Sequence, residues 1–171
     1  VAAEPKHYVG DGTPVGGLNC APSALGRHEV FAWCLPVFEQ AFVGGGAWNA
    51  MCSYNSIDGQ PVASDRELLT DVLRGQYHMP GLVRTDLTAV SRLYDNHFTA
   101  ADKPDAIRQG LEAGGGLQLH DFTHEEWTQG ILGLIRSGKM QEEVLDRACG
   151  RVLKLKFALG LFENPYVDEG R

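Results

Sequence analysis

The spacing of the short apolar segments is the feature that most constrains the fold of this chain. Four segments are typical of strands, at residues 6–10, 47–55, 81–86 and 117–120, and the last three begin near residues 47, 81 and 116. An interval of roughly 35 residues suits one strand plus one helix of a parallel sheet, since such a unit takes about 30 residues or more. The pattern therefore predicts an α/β fold of successive βα units.

Helical patterns fill the intervals between these strands. They are predicted at residues 29–43, 66–77, 104–113, 123–136 and 141–159. Pro36 is expected to divide the first helix in two, because proline lacks a backbone donor and clashes with the preceding turn. Ser64 or Asp65 can cap the second helix, and Thr123 with Glu126 forms a capping-box pattern before the fourth.

The resulting order, βαβαβαβα and one further helix, fits four successive units of a (β/α) barrel of the TIM type. A complete eight-stranded barrel usually takes about 250 residues. The 171 residues are therefore expected to form a partial barrel of about four units, with two exposed parallel edges unless something completes it. The chain begins with Val1 rather than Met, directly before the first predicted strand, so we expect it to come from inside a longer chain.

The charge and cysteine content exclude several classes of function. Twenty-two acidic residues against 15 Lys and Arg give a net charge of −7, and no Lys/Arg-rich run occurs, so a nucleic-acid partner is not expected. No apolar stretch reaches the length of a membrane span, and no signal-like region is present, so no membrane association is predicted. The four cysteines lack CxxC spacing, which argues against a zinc site or a disulfide framework, and no metal or cofactor is expected.

Asp86 is the main candidate for chemistry because it ends an apolar segment. A buried parallel strand has no structural need for an acid there, whereas α/β folds display catalytic groups at the C-terminal ends of their strands. The alternative is that Asp86 only caps the next turn. If the strands are parallel, the same face also carries Lys6, His7 and Tyr54, followed by the pair His120-Asp121. Such a cluster predicts a site for a polar substrate.

Several stretches, in order and with matching spacing over almost the whole chain, resemble glycoside hydrolase family 3 of the β-glucosidase type. They are Lys6-His7-Tyr8, Gly16-Gly17-Leu18-Asn19-Cys20-Ala21-Pro22, Met51-Cys52-Ser53-Tyr54-Asn55, Asp58-Gly59-Gln60-Pro61, Leu68-Leu69-Thr70-Asp71-Val72-Leu73-Arg74, Gly81-Leu82-Val83-Arg84-Thr85-Asp86, Leu155-Lys156-Phe157 and Gly160-Leu161-Phe162-Glu163-Asn164-Pro165-Tyr166. The first domain of this family is a (β/α)8 barrel. The resemblance implies that residues 1–160 are the C-terminal half of that barrel and that residues 161–171 begin a linker to a C-terminal domain.

The resemblance also implies an activity: exo-acting, retaining hydrolysis of a terminal non-reducing β-linked sugar through a covalent glycosyl-Asp intermediate. Asp86 is similar to the nucleophile of this family. Lys6 and His7 resemble the pair that binds sugar hydroxyls in the −1 subsite, and Tyr54 resembles the phenol beside the nucleophile. Lys6 and Arg84 are the two cations that could favour the ionised Asp86, although for Arg84 an ion pair unrelated to turnover is the favoured explanation. The implied partner is a β-linked glucoside or a related oligosaccharide.

One departure from the family pattern, and one feature of that pattern, leave parts of the function open. Leu87 stands where many members carry Trp, which removes an aromatic platform for a sugar and leaves the sugar preference undetermined. The general acid/base usually comes from a later domain, so the isolated chain is expected to be inactive. Two other hypotheses are a non-catalytic half-barrel that binds carbohydrate or self-associates, and a barrel aldolase that uses Lys6 as a Schiff-base amine.

Overall fold

The computed structural model describes residues 1–167, 169 and 170, and its centre is a three-stranded parallel sheet. The strands are β1 (Ala50–Cys52), β2 (Ser56–Ile57), β3 (Gln60–Pro61), β4 (Val83–Leu87) and β5 (Gly115–Leu119). In the parallel sheet β4 lies between β1 and β5, with Cys52 opposite Thr85 and Val83 opposite Gly115. A small antiparallel hairpin of β2 and β3 lies apart from it. The predicted α/β fold with a parallel sheet is confirmed.

The strand predicted at residues 6–10 is wrong, because this segment forms only one parallel bridge, from Tyr8 to Cys52. The Tyr8 N–H donates to the Met51 carbonyl at 2.7 Å, and the Ser53 N–H donates to the Tyr8 carbonyl at 2.6 Å. The chain then turns away at Gly10, which has a φ of 83° and accepts a hydrogen bond from the Thr13 N–H. This turn ends the pairing before a ladder can form.

The five predicted helices lie within about two residues of their predicted limits, whereas the short helix at Ser91–Asp95 was not predicted. The first is continuous from 27 to 44, as Arg27–Glu29, Val30–Cys34, Leu35–Glu39 and Gln40–Gly44, with the second and fourth segments of π type, and is called α1. The others are the π-type α2 (Glu67–Gln76), α3 (Ser91–Asp95), α4 (Lys103–Ala113), α5 (His124–Arg136) and α6 (Glu142–Ala158). Short 3-10 turns cover Val15–Gly17 and Val62–Ser64.

The predicted break of the first helix at Pro36 is wrong. Pro36 lies in the first turn of the Leu35–Glu39 segment, directly after a π-helical segment. The backbone keeps right-handed helical dihedral angles on both sides of it, at Leu35 (φ −62°, ψ −36°) and at Gln40 (φ −61°, ψ −37°). The helix therefore continues through Pro36 to Gly44.

The predicted helix starts and the hairpin turn are confirmed. The Asp65 carboxylate accepts the Leu68 N–H at 3.1 Å at the start of α2. At α5 the Thr123 hydroxyl accepts the Glu126 N–H, and the Glu126 carboxylate accepts the Thr123 N–H. Asp58 and Gly59 both have positive φ in the two-residue turn between β2 and β3, as a type I′ turn requires.

The sheet is held in place by apolar packing on α2 and α4. Leu69, Val72 and Leu73 of α2 are fully buried in the same cluster as Val83 of β4. A second cluster joins Ile107 of α4 to the inner faces of α5 and α6. Over the described residues, no helix combines the length and apolarity that crossing a membrane demands. The four cysteines are free thiols.

Candidate active site

Asp86 lies at the C-terminal end of the central strand β4. Its side chain is only 15% exposed, because the neighbouring strands and the segment around His7 surround it. The Asp86 Oδ1 atom accepts the Leu87 N–H at 2.7 Å, and its Oδ2 atom lies 3.2 Å from the Nε2 atom of His7. Both carboxylate oxygens are thus held in place while the group remains reachable from solvent.

His7 lies between two carboxylates. Its Nε2 atom faces Asp86, and its Nδ1 atom lies 3.0 Å from the Oδ2 atom of Asp11. The ring is about a quarter exposed, so it forms part of the wall of the site. The predicted proximity of His7 and Asp86 is therefore present in the structure.

The backbone beside His7 is anchored to the sheet and to α2. Tyr8 is fully buried, and its hydroxyl donates to the Leu68 carbonyl at 3.1 Å. The Ser53 hydroxyl donates to the Val9 carbonyl at 3.0 Å, just beyond the end of β1. These contacts explain why His7 is held at the edge of the sheet although its segment is not a strand.

The other two basic candidates do not contact Asp86. Lys6 is exposed, and its ammonium forms no hydrogen bond or ion pair with the described part of the chain. Arg84 points its guanidinium at Glu4, with Nε 3.1 Å from the Glu4 Oε1 atom, and the two side chains form an ion pair. The ion pair with Glu4 explains the position of the Arg84 side chain without a role in turnover. The role of Lys6 in sugar binding stays a prediction.

Tyr54 connects the end of β1 to the residue that follows Asp86. Its hydroxyl donates to the Leu87 carbonyl at 2.7 Å, and its own carbonyl accepts a hydrogen bond from the Nε2–H of His97 at 2.8 Å. Burial, together with the negative charge of Asp86, raises the pKa of Tyr54 to about 12. The phenol therefore stays protonated at neutral pH, and it fixes the backbone beside the candidate nucleophile.

Asp121 has a structural role at the same edge. Its Oδ1 atom accepts the Val90 N–H at 2.6 Å and the Ser91 N–H at 2.9 Å, at the start of α3. Its Oδ2 atom is buried and has no hydrogen-bond partner among the described residues, and burial raises the pKa of this carboxyl to about 6. Asp121 and His120 border a cavity of about 350 Å³.

Three features of the site were not found from the sequence. Asp11 and His97 lie in loops, and nothing in their sequence context separates them from other polar loop residues. The Leu87 carbonyl is a backbone atom, which no residue pattern can identify as the acceptor for Tyr54.

Among the residues that the structure describes, no group of His, Cys, Asp and Glu is arranged to hold a metal ion.

Known proteins share both the sequence and the fold. The sequence profile described as "Glycosyl hydrolase family 3 N terminal domain" matches residues 1–155. The solved β-glucosidase EmGH1 from Erythrobacter marinus has a TM-score of 0.89 at 35% identity, over 98% of this chain and 22% of that chain.

Two relatives match almost as fully. The periplasmic β-glucosidase of Salmonella typhimurium is 34% identical over 165 residues, which are 96% of this chain and 21% of the relative. A putative β-xylosidase of Formosa agariphila is 33% identical over 168 residues, 98% of this chain and 22% of the relative. The chain thus spans about a fifth of the length of the curated relatives that it matches. Because the family profile matches nearly all of its residues, and a β-glucosidase has the same fold, the chain belongs to glycosyl hydrolase family 3.

Proposed function

We propose that Asp86 is the catalytic nucleophile of a retaining, exo-acting β-glycoside hydrolase that contains this chain. The observation that carries the proposal is the position of its carboxylate at the end of the central parallel strand. There it is oriented by the Leu87 N–H and His7 and is still 15% exposed. In a retaining glycosidase such a carboxylate attacks the anomeric carbon and forms a covalent glycosyl-enzyme, which water then hydrolyses.

The other residues of the site have supporting roles in this proposal. His7 and the exposed Lys6 hydrogen-bond hydroxyl groups of the sugar in the −1 subsite, where three ammonium donors and a ring nitrogen suit a polyhydroxylated ligand. Tyr54 holds the backbone after Asp86 through the Leu87 carbonyl. The second carboxyl of the mechanism, about 5–5.5 Å from the nucleophile, protonates the leaving oxygen and later activates water. It comes from a part of the protein outside this chain.

The proposed substrate is a β-linked glucoside or a closely related oligosaccharide. The names of the relatives, two β-glucosidases and a putative β-xylosidase, support a β-linked sugar in the −1 subsite. The side chain of Leu87 is 48% exposed beside the candidate nucleophile and offers an aliphatic surface there. We therefore expect Leu87 to influence whether the −1 subsite prefers glucose or xylose, and the relative kcat/KM for the two sugars measures this preference.

We further propose that residues 1–160 are the second half of a (β/α)8 barrel and that residues 161–171 begin a linker to a C-terminal domain. The parallel order β1-β4-β5, with helices between successive strands, supports a series of βα units. The segment bridged at Tyr8 extends the series on the β1 side. Residues 168 and 171 of the proposed linker lie outside the described residues. On this proposal the chain alone lacks the acid/base and part of the −1 subsite, and is inactive.

The test is the hydrolysis of an aryl β-glucoside and an aryl β-xyloside by the full-length protein that contains this chain. The variant Asp86→Ala should lose at least about 10³-fold in kcat, because no other group forms the glycosyl-enzyme. Added azide should restore part of the turnover and yield the α-glycosyl azide. The matched control is Asp146→Ala, which removes an exposed acid on α6 and should behave as the wild type. Full activity of Asp86→Ala would overturn the assignment. A stable dimer of the chain that binds sugar without turnover would favour the half-barrel binding module instead.

A further inference from the structure

We infer that Asp11 is a positioning residue for this site: it holds the His7 ring so that Nε2 faces Asp86 and the sugar. The inference rests on the proposed function of Asp86. The juxtaposition that carries it is a single imidazole whose two nitrogens each face a different carboxylate, at 3.0 Å from Asp11 and 3.2 Å from Asp86. No sequence pattern had assigned a role to Asp11.

The hydrogen-bond capacity of the groups determines what Asp11 does. An ionised carboxylate can only accept, so the Nδ1 atom that faces Asp11 carries a proton. A neutral imidazole has one donor and one acceptor nitrogen, and the partner of one nitrogen decides the state of the other. With Nδ1–H given to Asp11, a protonated His7 turns its Nε2–H side toward the Asp86 carboxylate, with which it forms an ion pair at 3.2 Å. When His7 is neutral, Nε2 is an acceptor for a sugar hydroxyl.

The contact between Asp11 and His7 is better explained by a role in orienting the His7 ring than by a role in folding stability. Asp11 is about 36% exposed and His7 about 27%, and exposed ion pairs of this kind contribute little to folding stability. The Asp11 carboxylate makes no other hydrogen bond within the described residues. The backbone of this segment is held by other groups, which include the buried Tyr8 and the Ser53 hydroxyl that bonds Val9. Removing the carboxylate should therefore leave the loop in place and free only the ring.

The arrangement has a parallel in the outer-shell carboxylates of histidine ligands. There a carboxylate on one ring nitrogen fixes the tautomer and orientation of the other, and its loss costs about 10–100-fold in activity. The same range is expected here. Without the Asp11 carboxylate, the His7 ring can rotate or change its tautomer. Nε2 is then in the correct position and protonation state to hydrogen-bond the sugar for only part of the time.

The experiment compares Asp11→Ala, Asp11→Asn and His7→Ala in the full-length protein with an aryl β-glucoside. Asp11→Ala should lower kcat/KM by about 10–100-fold. Asp11→Asn keeps an acceptor oxygen and should recover part of that loss. The thermal midpoint should change by no more than about 2 °C, as for loss of an exposed pair. Asp146→Asn, on the surface of α6, is the control.

A double-mutant cycle of Asp11 and His7 distinguishes a positioning role of Asp11 from a merely structural one, because only a positioning role acts through the His7 ring. In the His7→Ala background, Asp11→Ala should have no further effect on kcat/KM, because Asp11 acts only through that ring. An additive second loss would overturn the inference, as would wild-type kcat/KM for Asp11→Ala while Asp86→Ala is inactive. That last result would leave the nucleophile assignment standing. Activity of Asp86→Ala would instead overturn both.

Discussion

The hydroxyl of Tyr54 donates a hydrogen bond of 2.7 Å to the backbone carbonyl of Leu87, the residue directly after Asp86. The bond joins the loop that follows β1 to the end of β4, and His97 holds the Tyr54 carbonyl from a third segment. The position of the Asp86 backbone therefore depends on a side chain more than 30 residues earlier in the sequence.

Removing this hydroxyl should affect both stability and turnover. Tyr54→Phe removes one of the two hydroxyl donors to the Leu87 carbonyl, the other being that of Thr88, and the lost hydrogen bond should cost about 0.5–1.5 kcal/mol of stability. We also expect kcat/KM on an aryl β-glucoside to fall by several-fold, because the backbone beside Asp86 is less constrained. Tyr94→Phe is the control, since the Tyr94 hydroxyl has no hydrogen bond within the part of the chain that the structure describes. Equal effects of the two variants would show that the bond to Leu87 is unimportant.

The placement of Asp86 could be predicted because local and long-range signals agree. Strands at regular intervals, a short apolar run and a terminal carboxylate all point to the end of a parallel strand, and β4 lies there. The prediction that His7 lies beside Asp86 is correct in position but rests on a wrong structural reason. The segment that contains His7 is not a strand: it forms a single bridge to β1 and is anchored by the hydroxyls of Tyr8 and Ser53.

The remaining features depend on contacts that are distant in sequence. The bonds from Asp121 to Val90 and Ser91, and from Tyr54 to Leu87, each join residues about 30 positions apart. Periodicity and spacing report only on local structure, so they could not identify these partners. Asp11 is close to His7 in sequence, but only the turn at Gly10 brings the two side chains together.

The buried carboxyl of Asp121 should make stability depend on pH. Burial raises its pKa to about 6 in the folded protein, from an ordinary value of 3.8. Between these values the unfolded chain releases the proton while the folded chain keeps it. The contribution of this group is therefore fully present below about pH 4 and is lost as the pH rises through 6.

The variant Asp121→Asn tests this dependence. Asn retains an oxygen that accepts the Val90 and Ser91 N–H groups but does not titrate. The free energy of unfolding of the wild type, relative to the variant, should fall by roughly 2–3 kcal/mol between pH 3.5 and pH 7.5. Urea unfolding at the two pH values measures it. The same pH dependence in both proteins would contradict a raised pKa at Asp121.

The segment that leads into β4, the strand that carries Asp86, should not tolerate a side chain at Gly81. A Cβ atom there would overlap the Asn49 Oδ1 atom and the Trp48 carbonyl, and the Gly81 N–H and carbonyl are both hydrogen-bonded. We expect Gly81→Ala to cost at least about 1–3 kcal/mol, because packed backbone must move. Its thermal midpoint and activity should both fall.

Gly75→Ala is the matched control for this substitution. Gly75 lies in α2, and a Cβ atom added there meets nothing within 4 Å. Alanine is favoured over glycine inside a helix by about 0.8–1 kcal/mol, so this variant should be as stable as the wild type or more so. A stable Gly81→Ala protein would show that the close approach of the segment before β4 to Trp48 is not required.

The central claim, that Asp86 forms a covalent bond to the sugar, is tested most directly by trapping the intermediate. The full-length protein is incubated with an activated 2-deoxy-2-fluoro-β-glucoside, digested, and its peptides are sequenced by mass spectrometry. Our account predicts one fluoroglucosyl group, attached to the carboxylate of Asp86 and absent in Asp86→Ala. A label on a different residue, or hydrolysis with inverted configuration and no label, would contradict it.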